Sequence, residues 1–475
     1  MGSIKQELTS GIFYIAIAKY SGIAVQLVIT AILARLLSPV DFGTVAVATV
    51  IISFFNILSD IGIGPAIIQN KDLTEDDLSH IFSFTLYTGI ILSVLFFLCA
   101  QPIAGYYGNK VLISVCRWLS LPILFYSLNI VPLNLQYKHK RFRFVAFTTL
   151  GVQIATGAIS MIGAYYGMGL YALVMSQVLS SVLLFCIYYL HNTLCFHLWI
   201  NLQSLKKIIS FSVYQFSFNL VNYFSRNLDK LLIGRFIGMS SLGYYDKSYR
   251  LMQMPLQNIT FVITPVMQPV FSSLQHDLSD LARKYIKVLQ LLAYISFPLS
   301  VFLYFTAEEL ILLFFGDQWY GAVNVFKILA LSVSVQILAA TSGAIFQSIC
   351  ASRQMFISGC CGACLMVTGF CITILCWHSI EAVAYGYLVT QVASAVQCFV
   401  FLFRSLRYPF TEFVRLLAKP CITGLILLLV LFMGNTVFSA STPLLSLCVK
   451  LIVSTIVTIP LIRLCGNYKI KDIIA

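Results

Sequence analysis

Long apolar stretches recur along the whole chain, separated by short segments that contain charged residues, proline or glycine. Each stretch holds roughly 20 or more mostly apolar residues, which is the length that a helix needs to cross a membrane. The pattern therefore predicts an all-α integral membrane protein with about 14 transmembrane helices. The predicted spans are 11–36, 42–68, 80–102, 111–135, 143–167, 169–190, 208–234, 243–271, 286–307, 320–347, 354–377, 380–403, 417–438 and 443–464.

The amino-acid composition excludes a soluble protein. Apolar residues make up 59% of the chain and charged residues only 10%, whereas about a quarter of the residues are charged in a typical soluble domain. So few charges could not keep the surface of a 475-residue protein in water. The two longest predicted loops, 191–207 and 272–285, also leave no room for a separate soluble domain.

Lysine and arginine residues are concentrated in alternate loops. If the N-terminus is cytoplasmic, the cytoplasmic loops hold nearly all of these cations, and the opposite loops hold Lys110, with Arg35 and Arg235 at helix ends. The positive-inside rule then places both termini in the cytoplasm. The net charge of +13 is explained by this topology, and no nucleic-acid partner is expected.

An internal repeat with an offset of 200 residues organises the chain. Arg35 matches Arg235, Gly43 matches Gly243 and Pro65 matches Pro265 without a gap. Because six spans separate the two copies, the repeat is parallel, and its pseudo-two-fold axis is normal to the membrane. We therefore predict two six-helix lobes followed by two further helices. The predicted divisions are an N-terminal lobe at 1–192, a cytoplasmic linker at 193–207, a C-terminal lobe at 208–405, and two helices with a tail at 406–475.

Polar residues form stripes on three of the predicted spans. The stripe on the seventh span consists of Gln215, Asn219, Asn222, Arg226 and Lys230, spaced so that they share one helix face. The corresponding positions of the first span include Lys19 and Gln26. The eighth span carries Asp246, Arg250 and Gln253 at the same spacing, with Lys247 beside them.

Two interpretations of these stripes stay open. In the first, the polar side chains only join helices, with Asp246 pairing with Arg250 at the i, i+4 spacing. In the second, they line a hydrated cavity, because ionisable groups within a membrane usually mark a pathway or a substrate. The buried cations outnumber the buried acids, and arginine suits phosphate. The second interpretation therefore predicts a site for an anionic ligand.

Signals for other chemistry are absent from the sequence. The chain has no phosphate-binding glycine loop, dinucleotide-binding turn or nucleophile elbow, so no catalytic residue and no cofactor are expected. The histidines lie near predicted loops, and the cysteines Cys360, Cys361 and Cys364 lie inside an apolar span. We predict no metal site, and we expect Lys450 to extend its amine towards the outer membrane surface.

Three segments carry a resemblance to a known family. They are Leu33–Gly43, the run from Arg226 to Asp246, and Phe315–Trp319. With them the chain resembles the polysaccharide transporter family, the Wzx-type flippases of lipid-linked oligosaccharides. That family belongs to the multidrug/oligosaccharidyl-lipid/polysaccharide exporter superfamily.

The resemblance implies a function and a location. Members of the family move undecaprenyl-diphosphate-linked sugar repeats outward across a bacterial inner membrane by alternating access. The repeats are destined for O-antigen in lipopolysaccharide, for capsule or for exopolysaccharide. The implied partners are the lipid-linked oligosaccharide, membrane lipids, and a polysaccharide polymerase with its chain-length machinery. A coupling ion, H⁺ or Na⁺, is expected.

Two other functions would leave different signals in the sequence. A multidrug antiporter of the same superfamily would be expected to carry a membrane-embedded acid in the first span, where this chain has Lys19. A membrane enzyme such as a sugar polymerase or ligase would be expected to display a large outer loop, and the predicted outer loops are short. The flippase interpretation fits both observations better, so we expect a transporter rather than an enzyme.

Overall fold

A computed structural model gives the architecture and describes residues 2–60, 62–70, 72–197, 199, 201, 220, 223–434 and 442–466. All regular structure in these residues is helical, which confirms the predicted all-α class. Twelve helices in this part of the chain are long and apolar enough to cross a membrane. Of the two remaining predicted spans, 208–234 lies partly outside the described residues, and 243–271 is a long helix with a polar stripe.

The helices follow the predicted spans closely. In chain order they are α1 (Gly2–Leu36), α2 (Pro39–Asp60), α3 (Ile63–Gln69), α4 (Glu75–Tyr107), α5 (Val111–Lys138), α6 (Phe142–Tyr165), α7 (Tyr171–Leu190), α8 (223–236), α9 (Met239–Ser272), α10 (Leu278–Phe305), α11 (Ala307–Phe315), α12 (Ala322–Ala340), α13 (Ser342–Ser348), α14 (Ser352–Trp377), α15 (Ile380–Ser405), α16 (Phe410–Gly434) and α17 (Pro443–Gly466).

One predicted span is divided in the structure by a glycine. The span 42–68 was expected to be continuous, but α2 ends at Asp60 and α3 begins at Ile63. Gly62 between them has a φ of 77°, which a side chain would disfavour. The Asp60 carboxylate accepts a hydrogen bond from the Gly64 backbone N–H at 3.1 Å. Asp60 therefore stabilises the start of α3.

The described chain forms two compact units, Met1–Gly243 and Tyr244–Ala475. In the first unit α4 packs on α5, and α7 packs on both α5 and α6. In the second unit α10 packs on α12, and α15 packs on both α12 and α14. The same order of pairings thus occurs in each unit, which is compatible with a repeat. The lobe boundaries derived from the 200-residue offset stay a prediction.

Two repeat-related glycines make a reciprocal contact. A Cβ atom built on Gly43 would lie 1.8 Å from the carbonyl oxygen of Met239, and one built on Gly243 would lie 2.1 Å from that of Pro39. Only glycine allows the starts of α2 and α9 to approach so closely. Each contact maps onto the other when 200 is added or subtracted, which is compatible with the repeat seen in the sequence.

Candidate functional site

The start of α9 is held by the segment that follows α11. Trp319 is fully buried, and its ring meets that of Tyr244 edge to face at 6.0 Å between centroids. The Tyr244 hydroxyl donates to the carbonyl oxygen of Gln318 at 3.3 Å. Gly321 leaves room for Tyr244, because a Cβ there would lie 2.7 Å from its ring. Two segments that carry the family resemblance therefore pack on each other.

One face of α9 is buried against other helices of the second unit, and this packing fixes the direction in which the polar stripe points. Tyr245, Ser248 and Met252 are buried, and the Ser248 hydroxyl donates to the carbonyl oxygen of Ala322 at 3.0 Å. This spacing follows one side of a helix. The polar stripe lies beside that face; Asp246 is buried, Arg250 is exposed and Gln253 is half-buried.

The clearest charged contact of the stripe joins Arg250 to Asp246. The Arg250 Nε donates to the Asp246 Oδ2 at 2.7 Å, as the joining interpretation anticipated. The two partners differ in burial, since the Asp246 side chain is 7% exposed and that of Arg250 is 58% exposed. The carboxylate therefore fixes one edge of the guanidinium, and most of the side chain remains accessible to a ligand.

One further cation and one neutral amide of the predicted site flank this pair. Lys247 is buried, so the structure places it deeper than Arg250. Gln253 is half-buried, and its amide donates to the Tyr249 hydroxyl at 3.1 Å. The eighth predicted span thus brings together a buried carboxylate, a buried amine and an accessible guanidinium on neighbouring turns.

In the first unit, α8 carries the remaining described part of the seventh-span stripe. Arg226 is exposed, Lys230 is half-buried and Asp229 is buried. The Tyr223 hydroxyl donates to the carbonyl oxygen of Val50 at 2.7 Å, which holds α8 against α2. Of the predicted site residues, Gln215, Asn219 and Asn222 lie outside the described residues.

The first-span stripe contacts α6. Gln153 donates to the carbonyl oxygen of Gly22 and to the side-chain oxygen of Gln26, each at 3.0 Å. Gln26 also donates to the Thr30 hydroxyl at 3.3 Å and remains exposed. Lys19 is half-buried at the start of this stripe. The sequence had given no weight to Gln153, although an amide within an apolar span was the signal that could have revealed it.

The prediction for Lys450 was wrong. Its side chain is buried, and its amine forms an ion pair with Glu309 of α11 and donates to the carbonyl oxygen of Phe305 at 2.9 Å. The Ser446 hydroxyl donates to the same Glu309 oxygen at 2.7 Å. A partner on another helix holds the amine inside the protein, so it does not reach the membrane surface. The pair connects α17 to α11 within the second unit.

Comparison with known proteins assigns the chain to a class. Residues 32–324 match the family model described as "Polysaccharide biosynthesis protein", and the chain belongs to this family. It is a multi-pass membrane protein of polysaccharide biosynthesis with the fold of a transporter. The resemblance drawn from the sequence segments is thereby confirmed.

Individual relatives give the same assignment. The chain is 30% identical to teichuronic acid biosynthesis protein TuaB of Bacillus subtilis (strain 168), over 73% of this chain and 72% of that protein. It is 25% identical to lipopolysaccharide biosynthesis protein WzxC of Escherichia coli (strain K12), over 69% and 67% respectively. Among solved structures, the lipid II flippase MurJ in its inward closed conformation superposes with a TM-score of 0.77. That match is 14% identical and covers 95% of this chain and 98% of MurJ. The structural match establishes the fold.

Proposed function

We propose that this chain moves an undecaprenyl-diphosphate-linked oligosaccharide from the cytoplasmic to the outer leaflet of a bacterial inner membrane. The family supports a role in polysaccharide biosynthesis, and the fold is shared with a protein described as a lipid II flippase. The observation that carries the proposal is the geometry of Arg250. Its guanidinium is fixed by Asp246 on one side and accessible on the other.

A cation in this state is suited to a diphosphate. A diphosphate cannot enter hydrocarbon without a large desolvation penalty, which counter-charges placed along its route reduce. Arginine offers further donors after its Nε is engaged, and charge-assisted bonds to phosphate are among the stronger hydrogen bonds. In this proposal the diphosphate is bound by Arg250, Arg226 and Lys230, assisted by Lys19 and Lys247. Alternating access then moves the bound headgroup from one side of the membrane to the other.

Neutral polar side chains of the same stripes would contact the sugars. These are Gln26 and Gln253, together with Gln215, Asn219 and Asn222. Amides both donate and accept hydrogen bonds, so they can replace the water around sugar hydroxyls. The polyprenyl tail would stay in the lipid while the headgroup moves. Coupling to an ion gradient, through H⁺ or Na⁺, belongs to the same proposal.

The direct test is deletion of the gene in its own bacterium. We expect undecaprenyl-diphosphate-linked oligosaccharide to accumulate on the cytoplasmic side, and the surface polysaccharide to be lost. A plasmid copy should restore both. If the surface polysaccharide persists after deletion, or the accumulated precursor is already in the outer leaflet, the proposed substrate or direction is wrong. Reporter fusions at Lys138 and Arg407 should read cytoplasmic, and a fusion at Asp317 should read external.

A further inference from the structure

A group of one carboxylate and two imidazoles lies apart from the polar stripes. Asp76 and His80 occupy the first turns of α4, four residues apart and therefore on one helix face. The start of α4 is fixed by a reciprocal cap, in which the Thr74 hydroxyl accepts from the Asp77 N–H and the Asp77 carboxylate accepts from the Thr74 N–H, each at 3.1 Å. The α4 helix has 33 residues and is about 50 Å long at 1.5 Å per residue. It exceeds the hydrocarbon core of about 30 Å, so its ends can project beyond it.

The third member of the group is brought to α4 by the segment that follows α7. The Cys195 N–H donates to the Ser79 hydroxyl at 3.2 Å, and the His197 N–H donates to the Ser83 hydroxyl at 2.9 Å. Because the two serines are one helical turn apart, this segment runs alongside α4. The rings of His197 and His80 lie 4.4 Å apart between centroids.

The distances within the group fit metal coordination better than hydrogen bonding. Each histidine Nε2 lies 3.5 Å from an Asp76 carboxylate oxygen, which is long for a hydrogen bond. Zinc–nitrogen and zinc–oxygen bonds of about 2.0–2.2 Å place neighbouring ligands of a tetrahedral site roughly 3.3–3.5 Å apart. One ligand atom from each of Asp76, His80 and His197 can be chosen so that all three lie within 4.8 Å of one another.

Burial adds a second observation. The His80 side chain is only 14% exposed, so its ring is held in place beside the Asp76 carboxylate. Asp76 is 69% exposed, so water can reach the group and complete a coordination sphere. The two imidazole rings are tilted by 30° to each other. A cation bound by both Nε2 atoms and the Asp76 carboxylate would replace these long polar contacts with coordination bonds.

We propose that Asp76, His80 and His197 bind a divalent transition-metal ion of the Zn²⁺ type. Two imidazoles and one carboxylate with an open fourth position form a ligand set that Zn²⁺ accepts. The ion would fasten the segment after α7 to the start of α4. Under the predicted topology this end is cytoplasmic. The proposal is independent of the transported substrate. The i, i+4 pair of Asp76 and His80 was visible in the sequence, but the third ligand required the fold.

The test uses the full chain without a polyhistidine tag, purified in detergent and treated with EDTA. Titration with Zn²⁺ against a chromophoric chelator should give one site per chain, and Co²⁺ should produce the visible absorption of a tetrahedral site. His197→Gln should weaken Zn²⁺ binding by more than about 100-fold, because loss of a ligand exceeds the 10–100-fold cost of losing a residue that only orients one. His276→Gln, at an exposed histidine outside the group, should bind like the wild type.

Two outcomes would overturn the proposal. One is the absence of a stoichiometric site in the wild-type chain. The other is equal Zn²⁺ affinity in the wild type and in His197→Gln. If His197→Gln fails to fold, Asp76→Asn serves instead. Asp76 is mostly exposed, and its described side-chain contacts are those with the two imidazoles. The Asp76→Asn variant should lower Zn²⁺ affinity by a similar factor, and unchanged affinity would contradict the site.

Discussion

Two ion pairs in the second unit place a cation beside a carboxylate, and they differ in how accessible the cation remains. Lys450 and Glu309 are both almost entirely buried, at 6% and 11% side-chain exposure, and the Ser446 hydroxyl donates to the carboxylate oxygen that Lys450 contacts. Asp246 is equally buried, at 7%, but its partner Arg250 is 58% exposed. The first pair is closed, and the second is open on the side of the cation.

The difference separates a structural charge from a candidate ligand-binding charge. A closed pair in a region of low dielectric has its charges compensated, so it has little to offer a ligand, and removal of one partner destabilises the fold. An open pair holds the guanidinium in place and leaves donors for an anion. A charge within a predicted span is therefore insufficient evidence of a substrate site. What matters is whether other protein groups already surround the charge, or leave it accessible to a ligand.

The largest expected effect is that of Arg250→Ala on transport. In the complex Arg250 and the diphosphate would form a buried charge pair, and truncation of one partner of such a pair commonly costs about 2 kcal/mol or more, which corresponds to at least about thirty-fold in binding. We expect export of the lipid-linked precursor per folded molecule to fall by this factor. Complementation of the deletion strain, measured as surface polysaccharide, provides the readout.

Matched variants sharpen this expectation. Arg250→Lys should retain part of the export, because it keeps the charge and loses the planar set of donors. Arg117→Ala removes an exposed arginine of α5 that lies over the Phe97 ring of α4. This variant should export normally. Equal loss of export in the Arg117 and Arg250 variants would show that general surface charge, rather than the open pair, matters.

Lys450→Met should act on stability instead. It leaves Glu309 buried without its cation, which typically costs about 3–5 kcal/mol. We expect less folded protein and a lower melting temperature in detergent, with unchanged export per folded molecule. The double variant Lys450→Met with Glu309→Gln should recover much of the melting temperature. Normal stability of Lys450→Met combined with lost export would reverse the assignment of the two pairs.

Asp246→Asn should separate binding from turnover. Asp246 competes with a bound anion for Arg250, and a hydrogen bond to a charged group contributes about 1.5–3 kcal/mol. Without this competition, we expect affinity for undecaprenyl diphosphate at least equal to that of the wild type, and export about ten-fold lower because release slows. A parallel fall in affinity and export would instead indicate that Asp246 serves mainly to position Arg250.

The smallest expected effect is that of Gln253→Ala. A neutral hydrogen bond contributes about 1 kcal/mol, so removal of this amide should reduce export by no more than about five-fold and leave diphosphate affinity unchanged. Binding of undecaprenyl diphosphate with and without its sugars would reveal the difference. A loss as large as that of Arg250→Ala would place the amide, and not only the guanidinium, at the headgroup.

Much of the fold could be predicted from the sequence because apolar length alone identifies a membrane-spanning helix. The boundaries of α5 and α15, for example, were predicted to within a few residues. Local breaks were less visible. Gly62 interrupts a continuous apolar stretch through its backbone conformation, which hydropathy does not register.

The candidate site could be predicted only in part, because a helical stripe gives spacing but not partners. The spacing of the stripe suggested a contact between Asp246 and Arg250 under one of two interpretations, and the structure shows this contact. It also shows that the Arg250 side chain is exposed, which residue spacing could not reveal. Lys450 was misjudged because Glu309 lies 141 residues away in sequence. His197 was missed for the same reason, since it meets His80 only in the folded chain.

The central claim, that the open cation binds the diphosphate and the closed cation does not, is tested most directly by binding. Undecaprenyl diphosphate would be titrated into the purified chain and its Arg250→Ala and Lys450→Met/Glu309→Gln variants, with complexes counted by native mass spectrometry. We predict at least about thirty-fold weaker binding for Arg250→Ala and wild-type binding for the double variant. Wild-type affinity in Arg250→Ala would contradict the account.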